Sequence, residues 1–169
     1  MADKGNMDIL WAPWRMKYIL CDDEEGCLFC NKPKVGRDEE AYILRRSAYS
    51  FVMLNKYPYN NGHLLLAPFR HLAEIENLGQ DEILDLLTLT QECVCVLKEE
   101  LHPQGFNIGM NIGDVAGAGV KHHFHLHIVP RWKGDTSFMP VVSSTNVLPQ
   151  ALSDSYAKLK RRFDERLHK

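Results

Sequence analysis

Apolar positions along the chain recur at two spacings, and the changes between them mark out its elements. Tyr42-Ile43-Leu44 and Ser50 to Leu54 are short, β-prone runs joined by polar residues, the pattern of a hairpin. The turn residues Pro58, Asn60, Asn61 and Gly62 follow, then a third apolar run, His63 to Ala67, closed by Pro68. From Asp81 to Leu101 the period becomes three and four. Ile83, Leu86, Leu87, Val94, Leu97 and Leu101 fall on one helical face, Asp81 and Glu82 suit the first turn, and Pro103 stops the helix. Phe106–Ile112 and Phe124–Val129 read as further strands around a glycine-rich loop, Gly113 to Gly119. Leu152, Tyr156, Leu159, Phe163 and Leu167 give a second amphipathic helix. Strands, helix, strands and helix without regular alternation predict an α+β fold with a mainly antiparallel sheet and two principal helices. Residues 1–20, a loose arm and the aromatic stretch Trp11 to Tyr18, precede a single domain over 21–169.

Composition narrows the field without choosing a chemistry. At 169 residues, 45% hydrophobic and 25% charged, the chain suits one domain with its own core. A net charge of −2 lacks the basic excess expected of a binder of polymeric nucleic acid or membrane surfaces. Any anionic substrate must then be met by local groups. No apolar run approaches the roughly 20 residues of a bilayer span, and Met1–Asp8 has no signal-peptide core, so the expected location is cytoplasmic. The pair in Cys27-Leu28-Phe29-Cys30 therefore reads as metal-binding or redox-active, against the plainer alternative of two buried thiols. Cys21, Cys93 and Cys95 have no evident partner, and the last two suit packing within the helix.

The chemistry concentrates in His123-Phe124-His125-Leu126-His127. In an extended strand the three histidines share one face, while Phe124, Leu126 and Ile128 pack on the other. Each imidazole has two ring nitrogens that need partners, so a row of three is not core filler. Metal binding, a solvated edge strand and catalysis all remain open on these residues alone. The run continues as Ile128-Val129-Pro130-Arg131-Trp132, and Gly62-His63-Leu64-Leu65-Leu66-Ala67-Pro68 lies upstream. Together these segments resemble the histidine-triad (HIT) superfamily, from Cys27 through the strand after the triad.

That resemblance implies a HIT-like fold and a nucleotidyl hydrolase or transferase. His125 is the implied nucleophile, attacking an α-phosphorus to give a nucleotidyl-histidine that water, phosphate or another acceptor then resolves. His127 and His63 are implied beside the phosphate, where imidazole N–H groups stabilise developing charge. Related zinc-binding members imply a structural zinc on Cys27, Cys30, His71 and His123, pinning the N-terminal loop to the nucleophile's strand without activating water. Asn55 and Asn111 match positions that contact ribose or phosphate, with turn formation as the alternative. The base is expected among strand residues such as Phe51 and Met53. Trp132 either covers a base or polyphosphate tail or closes the core.

The loop departs from the common family pattern. Where many members carry Gly-Gln-Ser or Gly-Gln-Thr, this chain has Ala118-Gly119-Val120, so phosphate contacts fall to backbone amides around Gly119. Arg131 and Lys121 read either as positive charge near the phosphate or as solvated surface residues, and the loop favours an anionic acceptor. The expected activity is cleavage of a dinucleoside polyphosphate, such as diadenosine tetraphosphate, by phosphorolysis ahead of hydrolysis, resembling a bacterial branch that includes diadenosine tetraphosphate phosphorylases. Hydrolysis of nucleoside phosphoramidates or aminoacyl adenylates is the rival activity, and a nucleotide-binding regulator the rival class. A homodimer is expected.

Overall fold

The computed structural model describes residues 26–135 and 151–167. The Trp11–Tyr18 stretch and Cys21 lie outside the described residues. Five antiparallel strands form one sheet: β1 (Ile43–Arg46), β2 (Ser50–Leu54), β3 (Leu64–Pro68), β4 (Gly105–Met110) and β5 (Leu126–Arg131), in the order β1-β2-β3-β5-β4. Among the described residues three α-helices accompany it: the single turn α1 (Leu28–Asn31), the long α2 (Gln80–Leu101) and α3 (Leu152–Leu167). The α+β class expected from the pattern is the one observed. Pro68 closes β3 as its last residue rather than lying beyond it, and the pairing of β1 with β2 shifts register between Ile43 and Arg45.

Alternation sorts the sheet into two apolar faces. Leu44, Val52, Leu54, Leu64, Leu66, Leu126 and Ile128 pack with Leu86, Leu89, Cys93, Val96 and Leu97 of α2 and Tyr156, Leu159 and Phe163 of α3. Ile43, Phe51, Met53, Leu65 and Ala67 face the other way and cluster with Phe29 of α1. Register is thereby locked. A one-residue slip of β5 would drive His127 under α2 and expose Ile128, and each leucine-sized side chain lost from burial costs about 1.5–3 kcal/mol.

The buried face of α2 differs from the one the spacing predicts. Leu86 and Leu97 are in the core, joined by Leu89, Cys93 and Val96, whereas Ile83 and Leu87 are exposed. The helix lies over β2, β3 and β5, with α3 beside it over β1. Arg45 and Arg162 pair with Glu92, Glu99 and Glu100 on the α3 side. Ile83, Leu87 and Val94 fall on the opposite flank, toward the β4 side of the sheet. Asp85 ties α2 to the β1–β2 turn, accepting hydrogen bonds from the Ser47 and Ser50 hydroxyls and the Tyr49 amide.

Two local devices set the entry to β3. Gly62 adopts φ +73°, which L side chains rarely take, and a Cβ there would stand 2.4 Å from Leu101 Cδ1, so any other residue would strain the turn and displace the Leu101 side chain. His63 follows at once and is fully buried at the start of the strand.

Candidate active site

The regular ladder of β5 begins at Leu126, three residues into the histidine run. Antiparallel continuation would set Pro68 opposite Phe124, but proline has no N–H to offer. The Phe124 amide instead donates to the Leu72 carbonyl, and His123 Nε2 donates to the Pro68 carbonyl at 2.9 Å. Alternation nevertheless persists through the irregular segment. Phe124 joins the helix-side core, while His123 and His125 lie against Phe29 on the other face, with ring centroids 5.2 and 4.8 Å away.

Backbone groups of fixed donor or acceptor character determine the tautomers. His125 Nδ1 lies 2.9 Å from the His123 carbonyl oxygen, which only accepts, so Nδ1 carries the proton and Nε2 keeps its lone pair. Burial holds His125 below the usual imidazole range, against the opposing effect of that hydrogen bond. It is a neutral ring with a free nitrogen, the form a nucleophile requires.

His63 is fixed in the opposite sense. Its Nδ1 accepts the Tyr59 backbone N–H at 3.1 Å and the Asn55 side-chain amide at 3.2 Å. The Asn55 orientation is set by its own oxygen, which accepts the Tyr57 N–H at 2.9 Å. The His63 proton therefore sits on Nε2 and is donated to His127 Nδ1 at 2.9 Å, leaving His127 with its N–H on Nε2. Tyr59 also packs its ring on His63 and His127, with centroids 4.7 and 6.0 Å away. Burial first, then the neighbouring His127 and His125, pushes the His63 pKa down to about 3.

This shift has a consequence for stability. Below the ordinary imidazole pKa of about 6.5 the unfolded chain protonates His63 while the folded chain does not. Stability is then lost as pH falls from about 6.5 toward 3, at up to about 1.4 kcal/mol per pH unit for this one group. Urea unfolding at pH 7 and pH 5 should show His63 alone contributing a loss of about 2 kcal/mol. A His63→Asn variant should have a correspondingly shallower pH dependence, and equal slopes in the two proteins would contradict the buried neutral state.

The cysteine pair meets two histidines. Cys27 Sγ and Cys30 Sγ lie 3.2 and 3.6 Å from His123 Nδ1, and His71 Nδ1 lies 3.3 Å from both Cys30 Sγ and His123 Nδ1. All four ligand atoms are within 4.8 Å of one another. Around a tetrahedral zinc with bonds of about 2.0–2.3 Å, neighbouring ligand atoms stand roughly 3.3–3.8 Å apart, so the set fits that ion. The His123 Nε2–H on the Pro68 carbonyl is the outer hydrogen bond that orients a metal-bound imidazole.

The other expected contacts sort differently. Asn55 is nearly buried, with both ends of its amide engaged inside the protein. Asn111 reaches across the glycine loop to the Gly117 carbonyl, and Gly119 lies exposed in that loop. Phe51 and Met53 are packed into the cluster with Phe29 and are almost fully buried. Trp132 sits in the turn after β5, its backbone N–H donating to Asp135. Arg131 donates to both carboxylate oxygens of Asp135, and Lys121 pairs with Asp114 at 3.2 Å, so each of these cations already has an anion. Sequence reasoning missed Tyr59 and Phe29. Phe29 had a signal, as the aromatic between two metal-spaced cysteines; Tyr59, which meets His63 through its backbone amide and both His63 and His127 through its ring, sits in a turn and had none.

Three alternating histidines on the sheet face away from the helices, with His63 bonded to the last of them, lie within the segment that the family match spans. The chain belongs to the HIT domain family, whose profile matches residues 37–134. It is 34% identical over 164 residues to the "AP-4-A phosphorylase" of Mycobacterium tuberculosis, covering 92% of this chain and 84% of that protein. It is 32% identical over 117 residues to the "Bis(5'-nucleosyl)-tetraphosphatase [asymmetrical]" of Schizosaccharomyces pombe, covering 69% and 62% of the two chains. Among solved structures, a zinc-bound histidine triad family protein from Mycobacterium smegmatis shares the fold with a TM-score of 0.66 at 24% identity, covering 85% of this chain and 96% of that one. Among the described residues, no helix is long and apolar enough to cross a membrane.

Proposed function

We propose that the protein cleaves dinucleoside polyphosphates, diadenosine tetraphosphate in particular, through a nucleotide bound covalently to His125. The observation that carries this reading is the pair of opposed tautomers: a neutral His125 with a free Nε2, beside a His127 whose Nε2 bears a proton. His125 Nε2 forms a bond to the α-phosphorus as the bond to the bridging oxygen breaks. His127 Nε2–H stabilises the charge that develops on phosphate oxygen, and its Nδ1 stays held by His63. An acceptor oxygen then attacks the phosphorus, and the His125 bond breaks to regenerate the ring. The names of the two relatives, one a phosphorylase and one a tetraphosphatase, support this substrate class.

Zinc is proposed on Cys27, Cys30, His71 and His123 as a structural ion. When bound it would supply a cross-link between α1 and the strand bearing His125. The four ligands leave no position for a reacting water, which supports a role separate from the chemistry.

For the acceptor we propose phosphate. The support is the phosphorylase relative and a loop built on backbone, where Gly113 and Gly117 have positive φ, rather than on phosphate-gripping side chains. Arg131 and Lys121, both paired to carboxylates, do not add to it. Turnover of diadenosine tetraphosphate should accelerate across a phosphate titration and yield ADP with ATP. AMP with ATP at an unchanged rate would identify a hydrolase. No turnover of any adenylylated compound, with or without phosphate, would leave a nucleotide-binding protein.

A homodimer is proposed through the open side of the sheet. β4 is an edge strand without charge or proline, and on its helix-side face Ile108 and Met110 are 46% and 36% exposed, continuing the apolar flank of α2. Such an edge is ordinarily covered. Sedimentation should give a dimer at micromolar concentration, and a monomer there would refute it.

A further inference from the structure

Beside His127 a groove of about 450 Å3 runs along the face of β4 and β5 away from the helices. That volume falls within the roughly 300–1,000 Å3 of small-molecule sites. His127, Val129 and Arg131 line it from β5, and the register sets Gly109, Asn107 and Gly105 of β4 opposite them in turn. Tyr59 stands at its head, against His127. We propose that this groove is the subsite for the second nucleoside, the one that leaves with the rest of the polyphosphate. The inference rests on the functional reading above.

Direction is the first argument. His125 and His127 lie on one face two residues apart, and the groove starts at His127 and extends away from His125 toward Arg131, about 13 Å along the strand. A substrate whose α-phosphorus is bonded by His125 and whose oxygens meet His127 would send its departing part along that line.

The chemistry of the walls comes next. Arg131 is held by both oxygens of Asp135 and by Asn107 Oδ1 at 2.7 Å, and Asn60 also donates to Asp135. The far end is thus electrically balanced and rich in amides, with Val129 and Tyr59 as apolar surface. A neutral heterocycle with hydrogen-bonding edges suits such walls, whereas an inorganic polyphosphate would meet, among the described lining residues, a single cation already held by Asp135.

The third argument is the bareness of β4. Neither Gly105 nor Gly109 has positive φ, and a Cβ built on either meets nothing within 4 Å. The fold therefore needs glycine at neither position, though glycine weakens a strand. Side chains there would stand on the groove face, opposite Arg131 and His127. Glycine at both places keeps the groove open.

The test fills the groove by Gly109→Val in the full chain. The ratio of kcat/KM for diadenosine tetraphosphate to that for adenosine 5′-phosphoramidate, which has no second nucleoside, should fall at least about tenfold. Gly109→Ala should give a smaller fall in the same direction. Ratios within about threefold of the parent's in both variants would overturn the subsite. Binding separates this inference from the functional reading. A methylene-bridged, uncleavable diadenosine tetraphosphate should bind Gly109→Val at least about tenfold more weakly by calorimetry, even if neither substrate is turned over. Equal affinity would refute the groove, while absent turnover with weakened binding would refute only the chemistry. Should Gly109→Val fail to give the parent's circular dichroism, Asn107→Ala replaces it with the same readouts.

Discussion

Replacing His125 by asparagine is expected to lower turnover of diadenosine tetraphosphate by about 10⁴-fold or more, while affinity for the uncleaved substrate changes only a few-fold. The free Nε2 of His125 is the atom that makes the bond to phosphorus, and an asparagine amide in its place has no comparable lone pair. Ground-state affinity comes from base, ribose and phosphate contacts that the substitution leaves in place. The replacement also keeps a donor near the His123 carbonyl that now holds Nδ1, so the irregular segment before β5 need not rearrange. Rapid quenching of the parent enzyme should trap a nucleotidyl-protein adduct that the variant lacks. Near-parental turnover in His125→Asn would remove the proposed mechanism outright.

The second large effect concerns the metal. Protein purified without chelators should contain about one zinc per chain, and Cys30→Ser or His71→Ala should lose most of it together with several kcal/mol of stability. The site joins α1 to the segments carrying His71 and His123, which are 41 and 93 residues from Cys30 in sequence. The unfolded chain does not present these ligands together, so binding energy appears directly as folding energy. What remains folded should keep turnover within a few-fold, because the ion would touch neither His125 Nε2 nor His127. Elemental analysis with urea unfolding reads both quantities. Metal-free protein of undiminished stability would refute the site, and so would zinc retained by both variants.

These effects bear on a site whose two halves were unequally legible in the sequence. Period-two alternation places His123, His125 and His127 on one face, and it held even where hydrogen bonding departs from a regular strand. Phe124, Leu126 and Ile128 need burial whatever carries the backbone hydrogen bonds, so side-chain partition outlasts the ladder. The helix was legible in extent but not in facing. Ile83 and Leu87 have the right spacing for a core, yet they lie on the flank of α2 turned away from α3 and stay exposed. Spacing defines a stripe on a helix, and only the neighbouring layer decides which edge of the stripe is covered.

The roles of the asparagines and cations divided in the same way. Asn55 was legible as a polar residue near His63, but its orientation depends on the Tyr57 amide and its target on the Tyr59 turn. Arg131 and Lys121 read equally as positive charge for the phosphate or as solvated surface residues, and only the fold pairs them with Asp135 and Asp114. What the sequence determined by itself is the set of groups available: three histidines in register, two cysteines at metal spacing, a fourth histidine after a glycine turn, and the faces they occupy. These follow from covalent spacing and the need to bury apolar side chains, both local properties. Tertiary structure alone decided which nitrogen of each ring carries a proton, which charges are spent, and where a groove stays open. Those outcomes depend on contacts between residues far apart in the chain, such as His63 with His127 and Cys27 with His123, whose distances no local pattern encodes.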